Sequence, residues 1–142
     1  VIAFEPDPVH YECLVKNCPE DVETHQLAVG NEEKMISLSE DNFTQAKRVV
    51  GDGVIPMVTI DSLGLDDVDL IKIDVEGFEM EVLKGAENTL KNVDYLMIEL
   101  NNNSKKYGSS NLEIEKHLRK TGFEIMIKVW PDVVWRKKGK SK

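Results

Sequence analysis

The stretch that most constrains this chain is DLIKIDVEGFEMEVLKGAENTLK, residues 69–91. An apolar run of Leu70, Ile71 and Ile73 ends abruptly in Asp74, Glu76 and Gly77. From Gly77 onward Phe78, Val82, Leu83, Ala86 and Leu90 recur on one helical face. A buried strand passing directly into a helix is half of a βαβ unit. Gly85 on that helix predicts a close approach to a sheet.

The same alternation runs along the rest of the chain. Val1 to Phe4 reads as a buried strand, followed by a helix that Asp7 caps and Pro8 opens. This helix is expected to end near Cys18, stopped by Pro19, with Tyr11, Leu14, Val15 and Cys18 on its core-facing stripe. VETHQLAV, residues 22–29, predicts a second strand, and MISL a short one. EDNFTQAKRVVGDG reads as an exposed excursion, and VIPMVTI as a strand that Pro56 confines to an edge or an irregular position. VDYLMIEL, residues 93–100, is nearly continuous in apolar residues, the pattern of a strand buried on both faces. Ser110 and Glu113 have capping-box spacing and open a helix with Leu112, Ile114 and Leu118 toward the core. FEIMIKV and DVVWRKK close the chain as a hairpin. The expected fold is α/β, an open, mostly parallel doubly wound sheet with helices on both faces.

Composition narrows the function. A length of 142 residues favours one domain, and 41% hydrophobic residues can build a core. The net charge of −8 argues against a nucleic-acid partner. The basic run from Arg136 to Lys142 reads as a solvated terminus, with 139–142 as its tail beyond a domain at 1–138. No apolar run is long enough to span a membrane. Cys13 and Cys18 match no zinc spacing, and a reducing, cytoplasmic setting is expected. His10, His25 and His117 show no metal spacing either, and His10 and His117 are expected at the surface.

Ligands of open α/β sheets bind beyond the carboxyl ends of the strands. Glu5, Asp74, Glu76 and Glu99 all fall at or near such ends. A carboxylate at the position of Glu5 either accepts hydrogen bonds from a ribose diol or favours the helix N-terminus that follows. Asp74 and Glu76 suit a general base or an oxygen-ligand site for a divalent metal, with helix initiation and pairing to Lys72 as the plainer alternative. Glu99, followed by Asn101 to Asn103, suits a hydroxyl-rich acceptor or forms an ordinary polar loop. Asp61 reads as a residue that fixes a loop.

Taken in order, VIAFEPDP, QLAVG, TIDSL, DLIKIDVEGFEMEVLKGAENTLK and YLMIEL resemble the FkbM family over about residues 1–100. That family comprises methyltransferases that use S-adenosylmethionine, commonly to O-methylate sugars and related hydroxylated natural products. The resemblance implies the class I methyltransferase fold with a C-terminal antiparallel strand. It implies Glu5 on the cofactor ribose, Ala28 and Val29 beside the adenine, and Asp74 and Glu76 facing the donor methyl and the acceptor. Glu99 and Asn101 are then expected on the acceptor side, where the acceptor is a small molecule or glycan. The family's first strand and glycine-rich turn have no counterpart, so the chain reads as N-terminally truncated and is expected to bind the cofactor poorly as it stands. A nucleotide- or NAD-binding enzyme and a non-catalytic domain of a larger glycan-synthesis protein are the alternatives. Oligomeric state is not legible.

Overall fold

The computed structural model describes residues 1–39 and 47–139. Among the described residues, nine strands and three α-helices follow one another as β1 (Ile2–Phe4), α1 (Pro8–Asn17), β2 (Glu23–His25), β3 (Ala28–Val29), β4 (Lys34–Leu38), β5 (Val49–Val58), β6 (Leu70–Ile73), α2 (Glu79–Lys84), β7 (Tyr95–Glu99), α3 (Asn111–Lys120), β8 (Phe123–Val129) and β9 (Asp132–Lys137). The chain is therefore a mixed α/β protein. Its strands form a parallel pair β2-β1, a three-stranded sheet β3-β5-β4 and a four-stranded sheet β6-β7-β9-β8.

The four-stranded sheet holds the main core. β6 and β7 are parallel, and β9 runs antiparallel to both β7 and β8, so the expected closing hairpin is present. Burial alternates along β7: Leu96 and Ile98 are fully buried while Tyr95 and Met97 are half-buried. β9 repeats the pattern with Val133 and Trp135 inward. Val82 and Leu83 of α2, Ala86, Leu90, and Ile114 and Leu118 of α3 all join that one cluster. The expectation of a strand buried on both faces is thus corrected. Among the described residues α2 and α3 pack on one face, and the apolar run of β7 concealed a period of two because Tyr95 and Met97 are apolar on the other.

Local chemistry explains most elements. Asp7 caps α1, its Oδ1 accepting from the Val9 and His10 amides at 3.0 Å each. Ser110 caps α3 by accepting from the Glu113 amide, and its hydroxyl donates to the Glu113 carboxylate. Leu112 is 61% exposed, however, so only Ile114 and Leu118 of the expected three reach the core. α1 has no fully buried residue, and Cys18 sits half-buried at its C-cap rather than in a core stripe. His10 is exposed as expected, whereas His117 is half-buried and burial lowers its pKa.

Four segments differ from the sequence reading. The strand predicted over residues 22–29 is two strands, separated at Gln26 and Leu27. The helix predicted from Gly77 is six residues long, preceded by a turn and followed at Thr89–Lys91 by a 3-10 turn. Residues 40–46 of the predicted excursion lie outside the described residues, but the part from Val49 belongs to β5. Ile36 pairs with Ile55 and Ser37 with Val50, so residues 51–54 bulge outward, and Ser37 Oγ donates to the Asp52 carbonyl. The glycines that looked like loop punctuation serve this bulge: a Cβ on Gly53 would lie 2.3 Å from the Ile36 carbonyl oxygen. Fourth, Arg136 and Lys137, counted both in the DVVWRKK strand and in the solvated basic run, lie in β9 as the strand reading expects, and Lys137 Nζ donates to the Leu90 and Thr121 carbonyls. Residues 140–142 lie outside the described residues.

Gly85 does permit a close approach, to a loop rather than a strand. A Cβ there would stand 1.9 Å from the Gly30 carbonyl oxygen. Nearby, Asp61 fixes the turn after α2: its carboxylate accepts from the Asn88 amide and from both the amide and hydroxyl of Thr89, the closest at 2.8 Å. Burial would raise the Asp61 pKa, but these hydrogen bonds outweigh it and hold the group below its usual value. The stability this contributes is present above the unfolded-state value of about 3.9 and is lost as pH falls through the lower folded value. Replacing Asp61 with Ala is expected to destabilise the fold by about 1–3 kcal/mol near neutral pH. Urea denaturation measured at several pH values checks this, because the deficit should shrink in strong acid.

Candidate active site

Two loops carry the site. At the end of β6 the chain turns sharply, with Glu76 at φ 54° and Gly77 at φ 113°. At the end of β7 it enters the loop of Leu100 to Asn102 and then a 3-10 turn, Asn103–Tyr107. β6 and β7 are parallel neighbours with Ile73 opposite Ile98, so the residues after each strand emerge side by side. This brings one oxygen from each of Asp74, Glu76 and Glu99 within 4.8 Å of the others.

Like charges at this spacing repel, and the surroundings relieve it in three ways. Asp74 and Glu99 share a hydrogen bond between their carboxyl groups, which holds Asp74 below its usual value with help from Lys72. The same bond pushes Glu99 up to about 7, with burial and the charges of Asp74, Glu76 and Asp132 adding to it. Lys72 Nζ also lies 2.8 Å from Asp74 Oδ2. Finally, Glu76 Oε2 accepts from the side-chain amides of Asn101 at 3.1 Å and Asn103 at 2.8 Å. Asn101 Oδ1 in turn accepts from the Asn103 amide, so Asn101 ties Glu76 to the loop after β7.

Beside the carboxylates lies a cleft of ≈ 160 Å³. Its lining includes Glu5, Ala28, Val29, Asp74 and Glu76, five of the seven residues singled out from the sequence. Glu99 and Asn101 reach it through their bonds to Asp74 and Glu76. Glu5 stands at the end of β1, where its Oε1 accepts from the Asp7 amide at 2.8 Å. A carboxylate has further acceptor capacity beyond one such bond. Ala28 is buried in the small core of the three-stranded sheet, and Val29 packs toward the main core.

Sequence reasoning missed the far wall. Asp7, buried beyond its capping role, pairs with Lys47. Burial would raise Asp7, but the hydrogen bonds from Lys47 and the His10 amide keep it below its usual value. Tyr107 accepts from the Val49 amide at 2.9 Å and meets the Phe78 ring edge-on at a centroid distance of 4.9 Å. Burial raises the Tyr107 hydroxyl pKa. These contacts join residues 40 and 58 positions apart, so no local pattern announces them. Glu79 also went unnoticed, although its spacing from Glu76 places it on the first turn of α2.

Three carboxylates are an oxygen set of the kind hard divalent cations accept. Here Lys72 and two amide donors already offset their charge. Glu5 with its spare acceptor capacity and the apolar Ala28 and Val29 lie in one cleft with Asp74 and Glu76.

The profile of the methyltransferase FkbM domain matches residues 1–125. The chain belongs to the FkbM methyltransferase family. It is also similar to the hexuronic acid methyltransferase AglP of Haloferax volcanii, 30% identical over 111 residues that cover 70% of this chain and 46% of that protein. The crystal structure of an FkbM methyltransferase from Methylobacillus flagellatus superposes with a TM-score of 0.65 at 19% identity, covering 96% of this chain and 36% of that one. The likeness confirms the α/β fold expected of an FkbM chain. This chain spans less than half the length of either relative.

The shared proton makes the site's titration measurable. Glu99 at about 7 lies above the ~4.3 of an unfolded glutamate, so the folded state holds the extra proton between those values. Stability is therefore expected to fall as pH rises through that window. A ¹³C-carboxyl NMR titration should show a step near neutrality belonging to the Asp74–Glu99 pair. Glu99→Gln should remove both the step and the slope.

Proposed function

We propose that the chain is the cofactor-binding and catalytic part of an S-adenosylmethionine-dependent O-methyltransferase acting on a hydroxyl of a sugar or glycan. The observation that carries this reading is one cleft, in an FkbM-family chain, that gathers strand-end carboxylates Glu5, Asp74 and Glu76 with the apolar wall of Ala28 and Val29. The sugar part of the reading is supported by the hexuronic acid methyltransferase of Haloferax volcanii.

Glu5 would accept hydrogen bonds from the cofactor ribose, and Ala28 and Val29 would flank its adenine. Bound there, S-adenosylmethionine supplies a methyl group on a sulfonium, open to displacement by an acceptor oxygen. A protonated sugar hydroxyl is a poor nucleophile, so a base must take its proton. Asp74 is that base in this reading: its partners keep it ionised while Glu99 holds a proton beside it. Glu76, clamped by Asn101 and Asn103, orients the acceptor, and Glu99 lies on the same side. Holding the reactants in line can contribute roughly 7–11 kcal/mol. Asn101 acts on the acceptor through its grip on Glu76.

The reading includes residues 1–138 as one methyltransferase domain of class I, Rossmann-like arrangement. β1 has only β2 as a partner and β6 only β7 among the described strands. Both therefore offer an open edge, as two parts of a single doubly wound sheet would where one further strand lies between them. A cytoplasmic setting accords with two unbridged cysteines, and no described helix is long and apolar enough to cross a membrane.

Calorimetric titration of S-adenosylmethionine into this chain, and into a form extended to the relatives' length, tests the proposal. Saturable binding by the extended form supports it, and Glu5→Ala should weaken that binding by about 10- to 100-fold, as loss of charged hydrogen bonds implies. Absence of binding by both, with both folded, would overturn it. In the binding form Asp74→Asn should lower turnover by on the order of 10²- to 10⁴-fold and leave cofactor affinity in place.

A further inference from the structure

Among the described residues Glu79 hydrogen-bonds neither to Glu5, Ala28 or Val29 nor to the three strand-end carboxylates, yet the residue is only 2% exposed. A buried carboxyl is unfavourable unless it is hydrogen-bonded, and an apolar residue would fill this first turn of α2 more easily. What Glu79 does is local and specific: its Oε1 accepts the Gly77 amide proton at 2.8 Å. Gly77 belongs to the two-residue left-handed turn, with φ 113° after Glu76 at φ 54°. A left-handed glutamate is strained, and such residues persist only where their surroundings over-determine them. On the other side of the turn, the Asn103 backbone packs so closely that a Cβ on Gly77 would lie 2.6 Å from its carbonyl atoms. The turn is thus held from beneath by Glu79 and from above by Asn103, the residue whose side chain also grips Glu76.

We infer that Glu79 is a positioning residue: through the Gly77 amide its buried carboxyl fixes the left-handed turn and so sets where the Glu76 carboxylate stands. This rests on the reading that Glu76 faces the acceptor. Burial raises the Glu79 pKa, and the charges of Glu76 and Asp74 add to this. The hydrogen bond itself asks for an acceptor oxygen at this reach, which the side-chain carbonyl of an amide also offers.

Two variants separate reach from charge. Glu79→Gln keeps the acceptor and the length but can carry no charge. Glu79→Asp keeps the acid and shortens it by one methylene, out of reach of Gly77. In ¹⁵N-labelled protein the side-chain amide resonances of Asn101 and Asn103 report the grip on Glu76. The Gln variant is expected to keep both resonances at their wild-type positions, with the Gly77 amide protected from exchange. The Asp variant is expected to move both toward free-amide positions while circular dichroism stays native. Wild-type resonances in the Asp variant, or displaced ones in the Gln variant, would overturn the inference. If the Asp variant does not fold, the Gln spectrum decides: preserved amides and a protected Gly77 support it, and loss of either refutes it. The readout uses neither cofactor nor acceptor. Absence of S-adenosylmethionine binding by both this chain and its extended form, together with the Gln and Asp pattern, would sink the functional reading alone.

Discussion

Three carboxylates at the ends of two adjacent parallel strands set the terms for everything around them. Parallel pairing of β6 with β7 forces Asp74, Glu76 and Glu99 into one small volume. Their mutual repulsion has to be relieved locally. A shared hydrogen bond relieves it between Asp74 and Glu99, an ammonium beside Asp74, and two amides on Glu76. Each relief draws in another segment: Lys72 from within β6, and Asn101 and Asn103 from the loop after β7. The loop after β7 is thereby fixed, and Tyr107 at its far end is fixed with it.

Much of this was legible because the informative residues are close in sequence. The change from a strand run to helical spacing at Gly77 placed Asp74 and Glu76 at a strand end. Pro8 behind Asp7 located the start of α1, and the Ser110–Glu113 spacing located α3. Glu5 was found at a predicted strand end, Ala28 and Val29 through family likeness, and the structure sets all three around the same cleft as Asp74. Asp61 was identified as a loop-fixing residue, and its hydrogen bonds to Asn88 and Thr89 are of that kind.

What stayed hidden has physical causes. The bulge at residues 51–54 uses glycines for close approach to Ile36, and glycine-rich sequence looks the same in a loop. The period-two burial of β7 was masked because Met97 and Tyr95, on its less covered face, are themselves large and apolar. Leu112 shows the reverse error: the periodicity of a ten-residue helix leaves its rotation uncertain, and only tertiary packing decides. Lys47, Tyr107 and Phe78 meet at the cleft through contacts between distant segments, which propensity and spacing do not encode.

The β4–β5 ribbon is tied to the rest of the molecule along its length: β5 pairs with β3, its buried Ile36 and Met57 pack with Ala28 and Phe78, and Lys47 beside it pairs with Asp7. At its base the Gly30 loop touches Gly85 backbone to backbone, with no side chain between them. At the start of β5 the Val49 amide is tied to the Tyr107 hydroxyl. One wall of the cleft is thus a ribbon whose ties reach Asp7, Tyr107 and β3, so the cleft's width is set by contacts between segments far apart in sequence.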